Sequence, residues 1–304
     1  MQETPSTTPM LHKSVLVEEV LQYLDLRPSK VYLDVTFGSG GHTRAILEKE
    51  PDCTVIALDW DKKSLDTYGL PLQEEFPARL RLVWGNFALL YKILKEQKIT
   101  SVDGILADFG TSQMQIFERP GFSLYRDTEL DMRMSPPHQK TTAADIVNNA
   151  TQEELYEIFK EFGEERFAGR IARVIVEERA AKKIVTTKDL AKLVERALPG
   201  GVKRGAIHPA TRIFQALRIF VNKELANIEA FLPIAFKALN PDGRLVCISF
   251  HSLEDRVVKQ FFVQCKQEGR AEILTPRIVM AQEEETKANP SARSARLRAL
   301  RKLL

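Results

Sequence analysis

The chain has 304 residues, 44% hydrophobic and 28% charged, enough apolar material for one large globular domain or two ordinary ones. Its apolar runs, such as LVCISF at 245–250, fall far short of the roughly 20 residues of a membrane helix. The start MQETPSTTPM lacks a basic and apolar leader, so a cytoplasmic protein with no membrane partner is expected. Cys53, Cys247 and Cys265 show no paired CxxC spacing, which fits a reducing compartment and implies no structural metal; a net charge of +3 is too small to name a partner.

In chain order, short apolar runs alternate with segments of helical period, the pattern of a parallel sheet wrapped by helices. Strands are predicted at 31–37 (VYLDVTF), 53–59 (CTVIALD), 79–85 (RLRLVWG), 102–109 (VDGILADF) and 243–250 (GRLVCISF). After Phe109 the rhythm stops for more than a hundred residues, which predicts a second domain. Residues 113–137, rich in Gly, Pro and Met, read as a long ordered loop, and 141–198 as successive helices. Thr151 and Glu154 form a T-x-x-E capping box. Phe167, Ile171 and Val174 share one helix face, with Arg166, Arg170 and Arg173 on another, read as a solvated face before an RNA contact. A helix over 222–239 leads back into the sheet. The expected division is therefore 1–112, first part of the core; 113–215, inserted helical domain; 216–285, second part of the core; and 286–304, a basic tail.

Charge is unevenly spread. Arg196 to Lys223 and Thr286 to Leu304 hold no Asp or Glu but several Lys and Arg. Such blocks suit a polyanion held by its phosphates, or equally a solvated helix face and a loose tail.

The segment YLDVTFGSGGHT, 32–43, turns from strand to helix through Gly38, Gly40 and Gly41, where missing Cβ atoms let a backbone approach a ligand. Thr43 stands where a dinucleotide fingerprint needs its third glycine, and no Gly-Lys-Ser/Thr follows for a P-loop. Asp59 lies roughly 20 residues on, where a carboxylate meets ribose hydroxyls. Asp61 suits a helix N-cap, Phe87 offers an apolar wall for a purine, and Asp108 lies at the carboxyl edge of the fourth strand. A nucleoside site without a pyrophosphate grip points to S-adenosylmethionine ahead of NAD. The DFG at 108–110 lacks every other kinase motif.

The stretches TFGSGGHTRAIL, DFGTSQMQ, GFSLYRDTELDMRM, FGEERFAGRIARVIVEER, HPATRIFQALRIFVNKEL, GRLVCISFHSLEDRVVK and NPSARSARLRAL together resemble the bacterial small-subunit (16S) ribosomal RNA cytosine-N4 methyltransferases, the RsmH or MraW family, over nearly the whole chain. The resemblance implies an α/β, class I (Rossmann-like) S-adenosylmethionine-dependent methyltransferase core with an inserted helical domain. It implies methylation of the exocyclic N4 of one cytidine in the decoding region of 16S ribosomal RNA, within the small ribosomal subunit, by an enzyme that is a possible homodimer. It places the cofactor on Gly40, Gly41 and His42 in the loop, Asp59 at the ribose, Phe87 near the adenine, and Asp108 and Gln115 beside the methionine end. In DFGTSQMQ, Gln113 and Met114 replace a serine and a proline of the family pattern.

Methylating a delocalised N4 amine needs a hydrogen-bond acceptor beside the methyl donor, and Asp108 is the candidate catalytic residue. Methylation at carbon 5 would need a cysteine nucleophile, whereas Cys53 and Cys247 lie within predicted strands and Cys265 far along a helix, so nitrogen is the favoured target. Arg204, His208 and Arg212 are the candidate contacts to the substrate RNA, although His208 before Pro209 also suits a helix cap.

Overall fold

The computed structural model describes residues 14–110, 119–198 and 208–303. Seven strands are β1 Val31–Asp34, β2 Thr54–Asp59, β3 Leu80–Trp84, β4 Val102–Asp108, β5 Leu239–Ser249, β6 Ala271–Ile273 and β7 Arg296–Lys302. The helices are α1 Val17–Leu24, α2 Gly41–Lys49, α3 Lys62–Ser64, α4 Leu70–Glu75, α5 Leu90–Glu96, α6 Ala143–Asn149, α7 Gln152–Glu161, α8 Ala168–Arg179, α9 Thr187–Ala197, α10 Thr211–Asn222, α11 Glu224–Ala238, α12 Ser252–Gln267 and α13 Glu283–Ala288. No helix among the described residues is long and apolar enough to cross a membrane.

The strands form one sheet in the order β3-β2-β1-β4-β5-β7-β6. The first five are parallel, and β7 runs antiparallel between β5 and β6. The chain moves outward from β1 through β2 to β3, then returns to place β4 on the other side of β1. The order thus reverses beside β1, the point where open α/β sheets bind ligands at their carboxyl ends. This is the expected class I methyltransferase arrangement, and its cause is in the strands: the centres of β2 (VIAL) and β4 (GILA) are buried at every position, as a sheet covered on both faces requires.

The chain divides into two compact units. One holds residues 1–86, 91–110 and 235–304; the other holds 87–90 and 111–234. The first has a core built on Tyr32, Leu47, Val55, Leu106, Val246 and Leu297. The second is helical, with a core including Leu155, Phe159, Ile171, Leu190, Ile213 and Leu217. The capping box of Thr151 and Glu154 opens α7 as expected. On α8, Ile171 is buried and Arg170 and Arg173 are exposed.

Two expectations need correction. The helical unit extends to 234, not 215: α10 and the first part of α11 belong to it, because Ile213, Phe214, Ala216 and Leu217 pack into its core. The 286–304 segment is no separate tail. Leu297 and Ala299 alternate into the first unit's core, while Arg298 between them and Arg301 beyond find partners on other segments. Arg298 makes a two-point contact with Asp255, at 2.6 and 3.0 Å, and Arg301 bonds Glu272. Lys302 donates to the Leu239 carbonyl at 2.6 Å. Arg298, Arg301 and Lys302 are therefore engaged inside the unit.

Candidate active site at the carboxyl edge of the sheet

β1 ends in Asp34 and passes through Thr36 into the glycine turn. Asp34 is 1% exposed, and both of its oxygens are occupied: Oδ1 accepts the Thr36 amide at 3.1 Å and Oδ2 accepts the Thr43 hydroxyl at 2.7 Å. Burial pushes its carboxyl up, while the Thr43 hydroxyl, the neighbouring His42 and the Thr36 amide hold it down. The Thr36 hydroxyl in turn accepts the Asp108 amide at 2.7 Å, tying the ends of β1 and β4 together. The sequence marks Thr43 only as a departure from the dinucleotide fingerprint and does not single out Asp34 or Thr36; the available signal was an acid closing an otherwise apolar strand just before the turn.

The turn explains its own glycines. Gly38 and Gly40 have φ of +56° and +79°, the left-handed region that side chains other than glycine rarely adopt. A Cβ on Gly40 would stand 2.6 Å from the Phe37 ring, and one on Gly41 would stand 2.2 Å from the Ser14 hydroxyl. Gly40 and Gly41 are thus required by packing within the protein. Only at Gly38 does a Cβ meet no close neighbour, with the Thr36 carbonyl 3.9 Å away.

Asp59, closing β2, lies directly against this turn. Its Oδ2 accepts the Gly38 amide and its Oδ1 accepts the Asp61 amide, both at 2.7 Å. Burial pushes the carboxyl up to about 7, against the pull of those two amides toward the ionised form. Each oxygen keeps a lone pair after these bonds, so the group can still accept two hydroxyls. Asp61 caps α3 by accepting the Lys63 amide at 3.1 Å, the role expected of it.

His42, on the first turn of α2, is 6% exposed. Neither ring nitrogen has a hydrogen-bond partner among the described residues; the nearest acid is Asp108, with Nε2 3.6 Å from Oδ2. Buried polar atoms are ordinarily paired, so an imidazole left in this state is suited to a ligand. Asp108 also accepts the Gly110 amide at 3.3 Å, and Gly110 lies against the Phe250 ring from the end of β5.

The structure therefore brings Gly38, Gly40, Gly41, His42, Asp59 and Asp108 to one edge of the first unit. Phe87 belongs to the second unit, where its ring packs edge to face on Phe231 at 5.4 Å. Gln115 and Arg204 lie outside the described residues. His208 accepts the Ala210 amide at 3.1 Å through Nδ1, and its Nε2 meets Glu195 at 2.9 Å, so it acts as a local cap joined to α9. Arg212 is 60% exposed, with a hydrogen bond to the Glu164 carbonyl at 3.4 Å and an ion pair to the buried Glu165 carboxylate at 4.0 Å.

Residues 9–303 match the model of the MraW methylase family. The chain belongs to the MraW methylase family. Among family relatives it is 48% identical over 309 positions to the ribosomal RNA small subunit methyltransferase H of Syntrophotalea carbinolica, covering 96% of this chain and 98% of that one. It is 46% identical over 292 positions to the protein of the same name from a Sulfurihydrogenibium species, covering 96% and 99%. A solved ribosomal RNA methylase from Streptococcus thermophilus is similar with a TM-score of 0.45 at 9% identity, over 96% of this chain and 98% of that one. For this MraW-family methylase, the residues at the edge fit S-adenosylmethionine: a carboxylate with free lone pairs for a ribose diol, an open Gly38, and a buried imidazole with no hydrogen-bond partner among the described residues.

Proposed function

We propose that the chain is an S-adenosylmethionine-dependent methyltransferase that methylates the exocyclic N4 of one cytidine in the decoding region of 16S ribosomal RNA. The observation that carries this reading is the clasp of Asp59 on the Gly38 turn beside the point where strand order reverses. Membership of the MraW methylase family and the names of its relatives support the substrate.

Bound at this edge, the cofactor supplies a methyl group on a positively charged sulfur. Asp59 holds the ribose hydroxyls, and the turn through Gly40, Gly41 and His42 lies at the methionine end with Asp108. Phe87 near the adenine and Gln115 beside the methionine belong to the same reading. The N4 lone pair of cytosine is delocalised into its ring, so the amine attacks only when an acceptor takes its hydrogen bond and lets the nitrogen pyramidalise. Asp108 is that acceptor. A carbon-5 target would need a thiolate, and burial pushes the Cys53, Cys247 and Cys265 thiols up, so they stay protonated. Arg212, with Arg204, holds the phosphates of RNA splayed around the target base. The same reading places the enzyme in the cytoplasm, with the small ribosomal subunit as the setting of its substrate and a homodimer as its assembly.

Transfer of a labelled methyl group to assembled small subunits, naked ribosomal RNA and DNA tests this directly. Label is expected on cytidine N4 of ribosomal RNA. Label on DNA alone would overturn the substrate, and cofactor binding without any transfer would make the chain an RNA-binding assembly factor.

A further inference from the structure

We propose that His42 receives the proton released by methylation, through Asp108, so that the site's charge is the same before and after transfer. This rests on the reading that S-adenosylmethionine binds here. The imidazole is 6% exposed, both nitrogens lack a hydrogen-bond partner among the described residues, and Nε2 lies 3.6 Å from Asp108 Oδ2. That gap is slightly longer than a hydrogen bond. The titratable groups that face the imidazole are Asp108 from β4 and Asp34 from β1; the Asp34 carboxyl is electrostatically coupled to both His42 and Asp108. Asp34 is 1% exposed, with its oxygens turned to Thr36 and Thr43, whereas the Asp108 side chain is 19% exposed, which leaves Asp108 as the group able to meet a substrate and pass a proton.

The step balances as follows. The N4 lone pair forms the bond to the methyl carbon, the carbon–sulfur bond breaks with its electron pair kept by sulfur, and the positive charge moves from sulfur to N4. The nitrogen then gives its proton to the Asp108 carboxylate, which passes it to the His42 imidazole. One positive charge has left sulfur and one has reached His42. A low-dielectric pocket favours such an exchange, because no net charge is created in it. It follows that His42 is neutral beside the charged sulfonium and protonated beside the neutral thioether product.

Calorimetric titration of the full-length protein with S-adenosylmethionine and with S-adenosylhomocysteine, in buffers of different ionisation enthalpy near neutral pH, measures the protons exchanged. Proton release by Asp59 is common to both ligands and cancels in the difference. The product is expected to draw in more protons than the cofactor, and His42→Gln to erase that difference. In parallel, the His42 ring resonance, identified among five histidines by its loss in the variant, is expected at an imidazolium shift only with S-adenosylhomocysteine. If His42→Gln does not fold, comparing the wild-type spectra in the two complexes decides alone. Equal proton exchange for the two ligands, or an unchanged imidazole, overturns the proposal while leaving the cofactor site standing. Absence of binding by either ligand overturns the cofactor reading itself.

Discussion

The Asp59 carboxylate accepts the Gly38 amide at 2.7 Å, so the acid that ends β2 and the turn that follows β1 form one unit. Its carboxyl lies up at about 7, above its ordinary 3.8. A carboxyl raised on folding binds more protons in the folded than in the unfolded state between these values, so its contribution to stability is present at low pH and is lost as pH rises through about 7. Ribose hydroxyls favour the ionised form, so S-adenosylmethionine affinity should rise across the same range. Asp59→Asn should weaken binding by about 10- to 100-fold at pH 8 and flatten the pH dependence of affinity. Calorimetric titration from pH 6 to 8 checks both.

The glycines should separate by mechanism. Gly40→Ala meets the Phe37 ring at 2.6 Å with a φ of +79°, and should cost about 1–3 kcal/mol of stability. Gly38→Ala has open space and a φ of +56°, and should cost about 1 kcal/mol, from the backbone alone. Denaturant unfolding of the two variants gives the comparison, and equal losses would contradict it.

Deleting residues from Arg296 onward should unfold the first unit, because β7 is hydrogen-bonded to both β5 and β6. The milder Arg298→Ala leaves Asp255 without its two-point partner and should cost about 1–3 kcal/mol. Circular dichroism and thermal melts report this; a truncated protein that melts normally and has only lost RNA affinity would restore the basic-tail interpretation.

Asn222, 1% exposed at the end of α10, donates to the Met132 and Arg218 carbonyls and accepts from the Met134 amide and the Gln139 side chain. It thereby holds a segment whose Met132 has a φ of +64°. Asn222→Leu strands those partners and should destabilise the helical unit by roughly 2–4 kcal/mol. Urea unfolding followed by hydrogen exchange in 130–140 locates the loss.

RNA affinity should distinguish Arg212 from His208. Arg212→Ala should weaken binding across RNA sequences and reduce the dependence of log affinity on log salt by about one unit. His208→Ala should instead lower the melting temperature, since its nitrogens meet Ala210 and Glu195. A salt titration of RNA binding for each variant separates the two effects.

Local residue order determined much of this protein. The apolar runs of β1, β2 and β4, the glycine turn, Asp59 at its distance from that turn, the Asp61 cap and the Thr151–Glu154 box depend on spacing along the chain, and spacing is what a sequence displays. Tertiary structure alone decided the rest. RLRALRK looks like a solvated basic tail until Asp255 and Glu272 arrive from distant segments to pair its arginines and the sheet takes up its leucines. His208 has the composition of an RNA contact until Glu195 meets it. Nothing local marks His42 as an imidazole without a hydrogen-bond partner among the described residues, because that depends on which groups from β1 and β4 fold against it. Charge and hydrogen-bond satisfaction are properties of neighbours in space, and only the closed fold chooses the neighbours.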